Sequence, residues 1–133
     1  RRQRQMCIRD SINSLTASDG VIIPTCAQYL SVKGLQQLFR TIAMIKKKLN
    51  HHLVIEGVCI TMYDNRTNFQ KDICKKIDDA YGNSAIRIFE SKITNSIKVG
   101  ESSALGISVI KHAPSCKVAQ QYMKLTEEVL DNE

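Results

Sequence analysis

Apolar positions along this chain follow two periods that take turns. Ile12 and Leu15 share a helical spacing that ends at Asp19-Gly20, a helix stop. Val21-Ile22-Ile23 is a β-branched run closed by Pro24 and predicts a short buried strand. Leu35, Leu38, Phe39, Ile42, Ile45 and Leu49 return to helical spacing, with Ser31 as a cap and Asn50-His51-His52 as the end. Leu53–Met62 is almost continuously apolar, the signature of a strand covered on both faces. Phe69, Ile73, Ile77 and Ala80 form the next helical stripe, which Thr67 or Asn68 can cap and Gly82 can end. Ala85–Phe89 predicts another strand, and Ser108–Ile110 a last short one. Pro114-Ser115 opens a final helix bearing Val118, Tyr122, Leu125 and Val129. Strands alternating with helix-length crossovers predict an α/β fold: a parallel sheet with helices on both faces.

Composition narrows the core. Hydrophobic residues make up 43% of the 133, aromatics only 5%, and Trp is absent, so the core is aliphatic. No apolar run reaches the roughly 18–20 residues of a membrane span, and the basic N-terminus lacks the apolar stretch of a signal peptide. A cytoplasmic location is expected. The five cysteines are scattered without C-x-x-C spacing, which argues for buried reduced thiols rather than zinc or redox chemistry.

The net charge of +6 is uneven. Arg1, Arg2, Arg4 and Arg9 stand against Asp10 in the first eleven residues, a segment with no apolar period. Residues 1–11 read as a non-native extension, with a basic arm that binds nucleic acid as the alternative, and residues 12–133 as the native portion. The remainder is mildly basic, which permits nucleic-acid binding without requiring it. Lys46-Lys47-Lys48 fall in the last turn of a predicted helix, where cations complement the helix dipole; a nucleic-acid contact is the alternative.

In open α/β sheets ligands sit beyond the carboxyl ends of the strands. Three loops are expected there: Pro24–Leu30, Met62–Asn68 and Glu90–Ser96. The second is dense in polar residues, and Asp64 suits a helix N-terminus. Arg66 does not, because a cation there is unfavourable unless an anion or a carboxylate pairs with it. No G-x-x-x-x-G-K-[ST], G-x-G-x-x-G or G-x-S-x-G occurs, so the residues present hold no recognisable catalytic constellation.

Five stretches resemble the ParA/Soj partition ATPases in order and spacing. They are INSLTASDGVIIP from Ile12, YLSVKGLQQL from Tyr29, IEGVCITMYDNRTN from Ile55, NSIKVGESSALG from Asn95 and PSCKVAQQYMKLTEEVL from Pro114. The string T-M-Y-D-x-R-T-N carries most of the specificity. The likeness covers residues 12–133 and corresponds to the C-terminal half of the family's P-loop-type domain, with an incomplete sheet.

The resemblance implies a parent that binds ATP with Mg²⁺, forms a homodimer in the ATP state and binds DNA without sequence preference. It also implies a ParB/Spo0J-like centromere-binding partner and a nucleoid-associated location. The family's DNA-binding basic positions fall on Arg66 and Lys98. Its base-facing loops fall on Met62 and Asp64 and on Thr94 and Asn95, where the family's I-P-R-N is Ile93-Thr94-Asn95-Ser96. The family's Gly-rich loop, switch aspartates and Walker B-like strand have no counterpart in these residues, so no ATP hydrolysis is expected from them alone. Two other readings compete: a MinD-like membrane-associated relative, disfavoured by the acidic run Thr126–Glu133, and a non-enzymatic DNA-binding module.

Overall fold

A computed structural model describes residues 2–81 and 86–131, with side chains from Arg9 onward. The elements are α1 (Arg2–Ala17), β1 (Gly20–Cys26), α2 (Tyr29–Lys48), β2 (Val54–Tyr63), α3 (Asn68–Tyr81), β3 (Ile88–Thr94), α4 (Ile97–Ala104), α5 (Val109–His112) and α6 (Lys117–Leu130). Among the described residues the strands form one three-stranded parallel sheet in the order β1-β2-β3. Its α/β class, parallel sheet and helical cover agree with the pattern of the sequence.

The alternation of β2 explains the two-sided cover. Val58 and Ile60 point to one face. There Val58 joins Leu15, Ile23, Leu35, Ile42, Ile45 and Leu53, and Ile60 joins Ala27, Ile73, Cys74 and Ile77. Cys59 points to the other face and packs with Phe89, Ile93 and Val118 under α6. Gly57 is needed for that second layer: a Cβ there would lie 2.7 Å from the Phe89 ring and 3.1 Å from the Arg87 carbonyl. On the α6 side the sheet is open toward β1, where Ile22 and Val54 remain 43% and 49% exposed.

Several expectations are corrected. Pro24 does not close β1; it lies within the strand, in register with Cys59. The Val54 N–H donates to the Asp19 carbonyl, so Asp19, Val21, Ile23 and Thr25 face β2, and the Pro24 nitrogen, which has no hydrogen to donate, faces away from it. Ser31 lies inside α2, which starts after Gln28 without a side-chain cap.

The third strand is Ile88–Thr94 instead of 85–89, so most of the stretch expected as the Glu90–Ser96 loop is strand. Ser108–Ile110 is not a strand: the Ser108 hydroxyl accepts the Lys111 N–H and caps the short helix α5. A three-residue β-branched run has no ladder to join between α4 and α6. Phe69 and Ala80 are exposed, and Cys74 takes the buried place between Ile73 and Ile77. Gly82 and Ala85, expected as a helix stop and a strand start, lie outside the described residues.

The α1 helix runs unbroken from Arg2 to Ala17, ending just before the predicted stop at Asp19-Gly20. Its C-terminal end is held by Asn50, whose side-chain amide donates to the carbonyls of Leu15 (3.1 Å) and Ser18 (2.7 Å). A helix leaves its last carbonyls without partners, and the turn after α2 supplies one here.

Candidate functional site

The carboxyl ends of β2 and β3 frame a groove of about 640 Å³. Met62, Asp64 and Arg66 stand on one wall, Thr94 and Asn95 on another, and Gln28, Gln70 and Lys117 complete it. Five of the six residues singled out from sequence therefore share one groove. Lys98 does not line it; it lies in the first turn of α4, two residues past the N-cap Ser96.

Local irregularities in the sheet build this edge. Between Ile60 and Tyr63 β2 takes three steps while β3 takes two, from Lys92 to Thr94. Met62 lies in that extra step with φ +52°, a left-handed conformation that costs a non-glycine residue about 1–2 kcal/mol. The Met62 side chain is 65% exposed. Further up, β3 carries extra residues between Ile88 and Lys92, and the strand amides freed there turn to α6. Glu128 accepts from the Glu90 N–H (2.9 Å), the Ser91 N–H (2.8 Å) and the Ser91 hydroxyl. Gln121 accepts from both the Thr94 N–H and its hydroxyl at 3.0 Å.

The turn after β2 is an Asx turn. Asp64 Oδ1 accepts the Arg66 N–H at 3.0 Å, the Thr67 hydroxyl donates to the Asp64 carbonyl, and Gln70 Oε1 accepts the Asp64 N–H at 2.7 Å. This turn also answers the anomaly at Arg66. Its Nε and Nη2 donate to the two oxygens of Asp64 at 3.1 Å each, so a carboxylate of its own loop supplies the missing anion. The Arg66 side chain is nonetheless 85% exposed. The hydrogen bonds from Arg66 hold the Asp64 carboxyl below its usual range and raise the guanidinium in turn.

Lys98 is paired as well. Its Nζ donates to Glu101 Oε2 at 2.8 Å, and the same oxygen lies 3.2 Å from His112 Nε2. The Glu101 carboxyl is lowered, first by the Lys98 hydrogen bond and then by that of His112.

Sequence reading missed Lys92, Lys117 and Lys124. These three lysines line a neighbouring cleft of about 510 Å³ between β3 and α6, which also includes Tyr63 and Thr94. Lys92 Nζ sits 5.3 Å from the Tyr63 ring centroid. Nothing in the local sequence marks them, because they meet only through the packing of α6 on β3.

A family model described as an AAA domain matches residues 9–55. The chain is 32% identical over 123 residues to the chromosome partitioning protein ParA of Caulobacter vibrioides, spanning 92% of this chain and 45% of that one. It is 34% identical over 122 residues to the sporulation initiation inhibitor protein Soj of Bacillus subtilis, spanning 92% and 47%. The chain is related by sequence to the ParA and Soj partitioning proteins. It spans a little under half the length of these relatives.

The fold likeness extends to the cobyrinic acid a,c-diamide synthase of Mycobacterium smegmatis. That crystal structure superposes with a TM-score of 0.57 at 30% identity, over 66% of this chain and 35% of that one. The same enzyme with a bound ATP analogue and magnesium superposes with a TM-score of 0.56 at 28% identity, over 65% and 34%.

The groove takes in Met62, Thr94 and Asn95, among the residues expected to face a base. It has no phosphate cradle, because these residues contain no Gly-rich loop. Among the described residues no group of three His, Cys, Asp or Glu side chains is placed to hold a metal ion, and no helix is long and apolar enough to cross a membrane.

Proposed function

We propose that residues 12–133 form the C-terminal portion of a ParA/Soj-type ATPase that partitions a chromosome or plasmid. The likeness to proteins named for partitioning, over 92% of the chain, carries this reading. In it, ATP and Mg²⁺ are held by a P-loop half that these residues lack, and two nucleotide-bound copies dimerise. Met62, Asp64, Thr94 and Asn95 face the base. Arg66 and Lys98 neutralise DNA phosphates without reading sequence, which suits long flexible cations at the rim of a sheet. A ParB/Spo0J-like centromere-binding protein is the partner, and the protein works on the nucleoid in the cytoplasm.

The exposure of the Arg66 side chain, at the groove, supports the DNA-facing role. The test is binding of random-sequence duplex to the full-length gene product, with and without ATP, across a salt series. Binding should need ATP and weaken steeply with salt. Arg66→Ala and Lys98→Ala should each weaken it for every sequence and reduce the salt slope by about one. DNA affinity unchanged in both variants would remove the assignment.

A further inference from the structure

We propose that Glu101 sets how strongly Lys98 engages DNA, as an internal counter-ion that a phosphate must displace. The inference rests on the DNA-binding reading of Lys98.

The geometry assigns the role to Glu101 for three reasons. First, Lys98 is a single compact charge on a flexible stem, and a carboxylate oxygen 2.8 Å from its Nζ cancels that charge where a phosphate would meet it. Second, Glu101 has another partner. His112, on a different helix and with its side chain only 23% exposed, lies 3.2 Å from the same oxygen. When Lys98 swings out to a phosphate, Glu101 keeps one hydrogen-bonding partner, so Lys98 is the member that can leave.

Third, Arg66 is built differently although it too is paired. Asp64 takes the Nε and Nη2 donors, and a guanidinium has five N–H groups in a fixed fork. Asp64 leaves Nη1 and the second Nη2 hydrogen unused, on a side chain that is 85% exposed. A phosphate can add to Arg66 along the edge of the fork that Asp64 leaves, whereas at Lys98 the whole charge sits on one nitrogen and an incoming phosphate meets the Glu101 carboxylate at that same atom.

Exposed ion pairs of this kind restrain their members by modest amounts, so the effect is graded. With the full-length gene product, ATP and a labelled random duplex, Glu101→Gln should bind about two- to fivefold tighter at low salt and show a steeper salt slope. Glu101→Ala, which also gives up the His112 contact, should tighten binding likewise. Either gain should vanish in a Lys98→Ala background. Glu127→Gln removes the same charge from the exposed side of α6 and should give no comparable gain.

Unchanged or weaker binding by both Glu101 variants, while Lys98→Ala weakens the wild type, overturns the counter-ion role and leaves the DNA reading intact. A gain that persists without Lys98, or that Glu127→Gln matches, overturns it too, because the effect is then one of overall charge. If neither Lys98→Ala nor Arg66→Ala affects the wild type, the failure belongs to the DNA reading itself.

Discussion

Arg66 and Asp64, two residues apart in one turn, form a two-pronged ion pair with both prongs at 3.1 Å. The pair stands in open solvent, so its signature is a titration more than a stability. The Asp64 carboxyl is depressed, chiefly by the hydrogen bond from Arg66. A depressed folded-state pKa means that the pair is intact above the ordinary aspartate value of about 3.9 and is lost as pH falls through the lower folded value. Carboxyl NMR should give Asp64 a midpoint below that of a free aspartate, and Arg66→Ala should move it upward. An Asp64 midpoint indifferent to Arg66 would mean that the pair does not persist in solution.

Glu128 gives a different kind of test, because its carboxylate accepts from the amides of a strand. Glu128→Ala leaves the Glu90 and Ser91 amides without their acceptor. The expected loss is about 1–3 kcal/mol, read as a lower denaturation midpoint at an unchanged slope. Hydrogen exchange at residues 90 and 91 should speed up more than at Val58, in the middle of the sheet.

Gly57→Ala should destabilise the fold by about 1–3 kcal/mol, since the new methyl meets both the Phe89 ring and the Arg87 carbonyl. Phe89→Leu in the same chain should recover part of that loss. The ring is one of the two obstacles, and the backbone oxygen cannot retreat as easily. Chemical denaturation of the single and double variants measures both effects.

The Cys59 thiol is pushed up to about 11, first by burial and then by the charge of Glu128. It therefore stays protonated at pH 8, and a thiolate-selective reagent should spare it in the native state. Cys26 and Cys116 are only half-buried and should be modified first. Peptide mapping after brief alkylation checks the order, and adding denaturant should bring Cys59 into reaction.

These residues also show what could be read in advance. The run Leu53–Met62 announces β2 because a strand with a helical layer on each face needs apolar side chains at both parities, and Val58 and Cys59 do face opposite layers. The stripes of α2, α3 and α6 are legible for the same reason: burial on one side imposes a period of 3.6.

The strand β3 is legible only at its start, Ile88-Phe89. Its Glu90-Ser91-Lys92 stretch is polar, and its amides are satisfied by side chains 27 to 38 residues away. The candidate site divides similarly. Position at the sheet edge follows from strand order, so the Met62–Asn68 loop stands out early. The fork between Arg66 and Asp64 depends on a turn conformation, and the Glu101–His112 contact on how α5 folds back. No spacing rule encodes either.

Pro24 leaves one further mark. Its nitrogen faces the side of β1 away from β2, where any strand that pairs would seek a donor and find none. The segment GVIIPTC is otherwise well suited to seed fibrillar growth, being uncharged and β-branched with Ile22 part-exposed. One vacant rung in the ladder forfeits about 1 kcal/mol for each added strand. Pro24 thus removes one rung from the ladder on that side of β1, whichever strand pairs there.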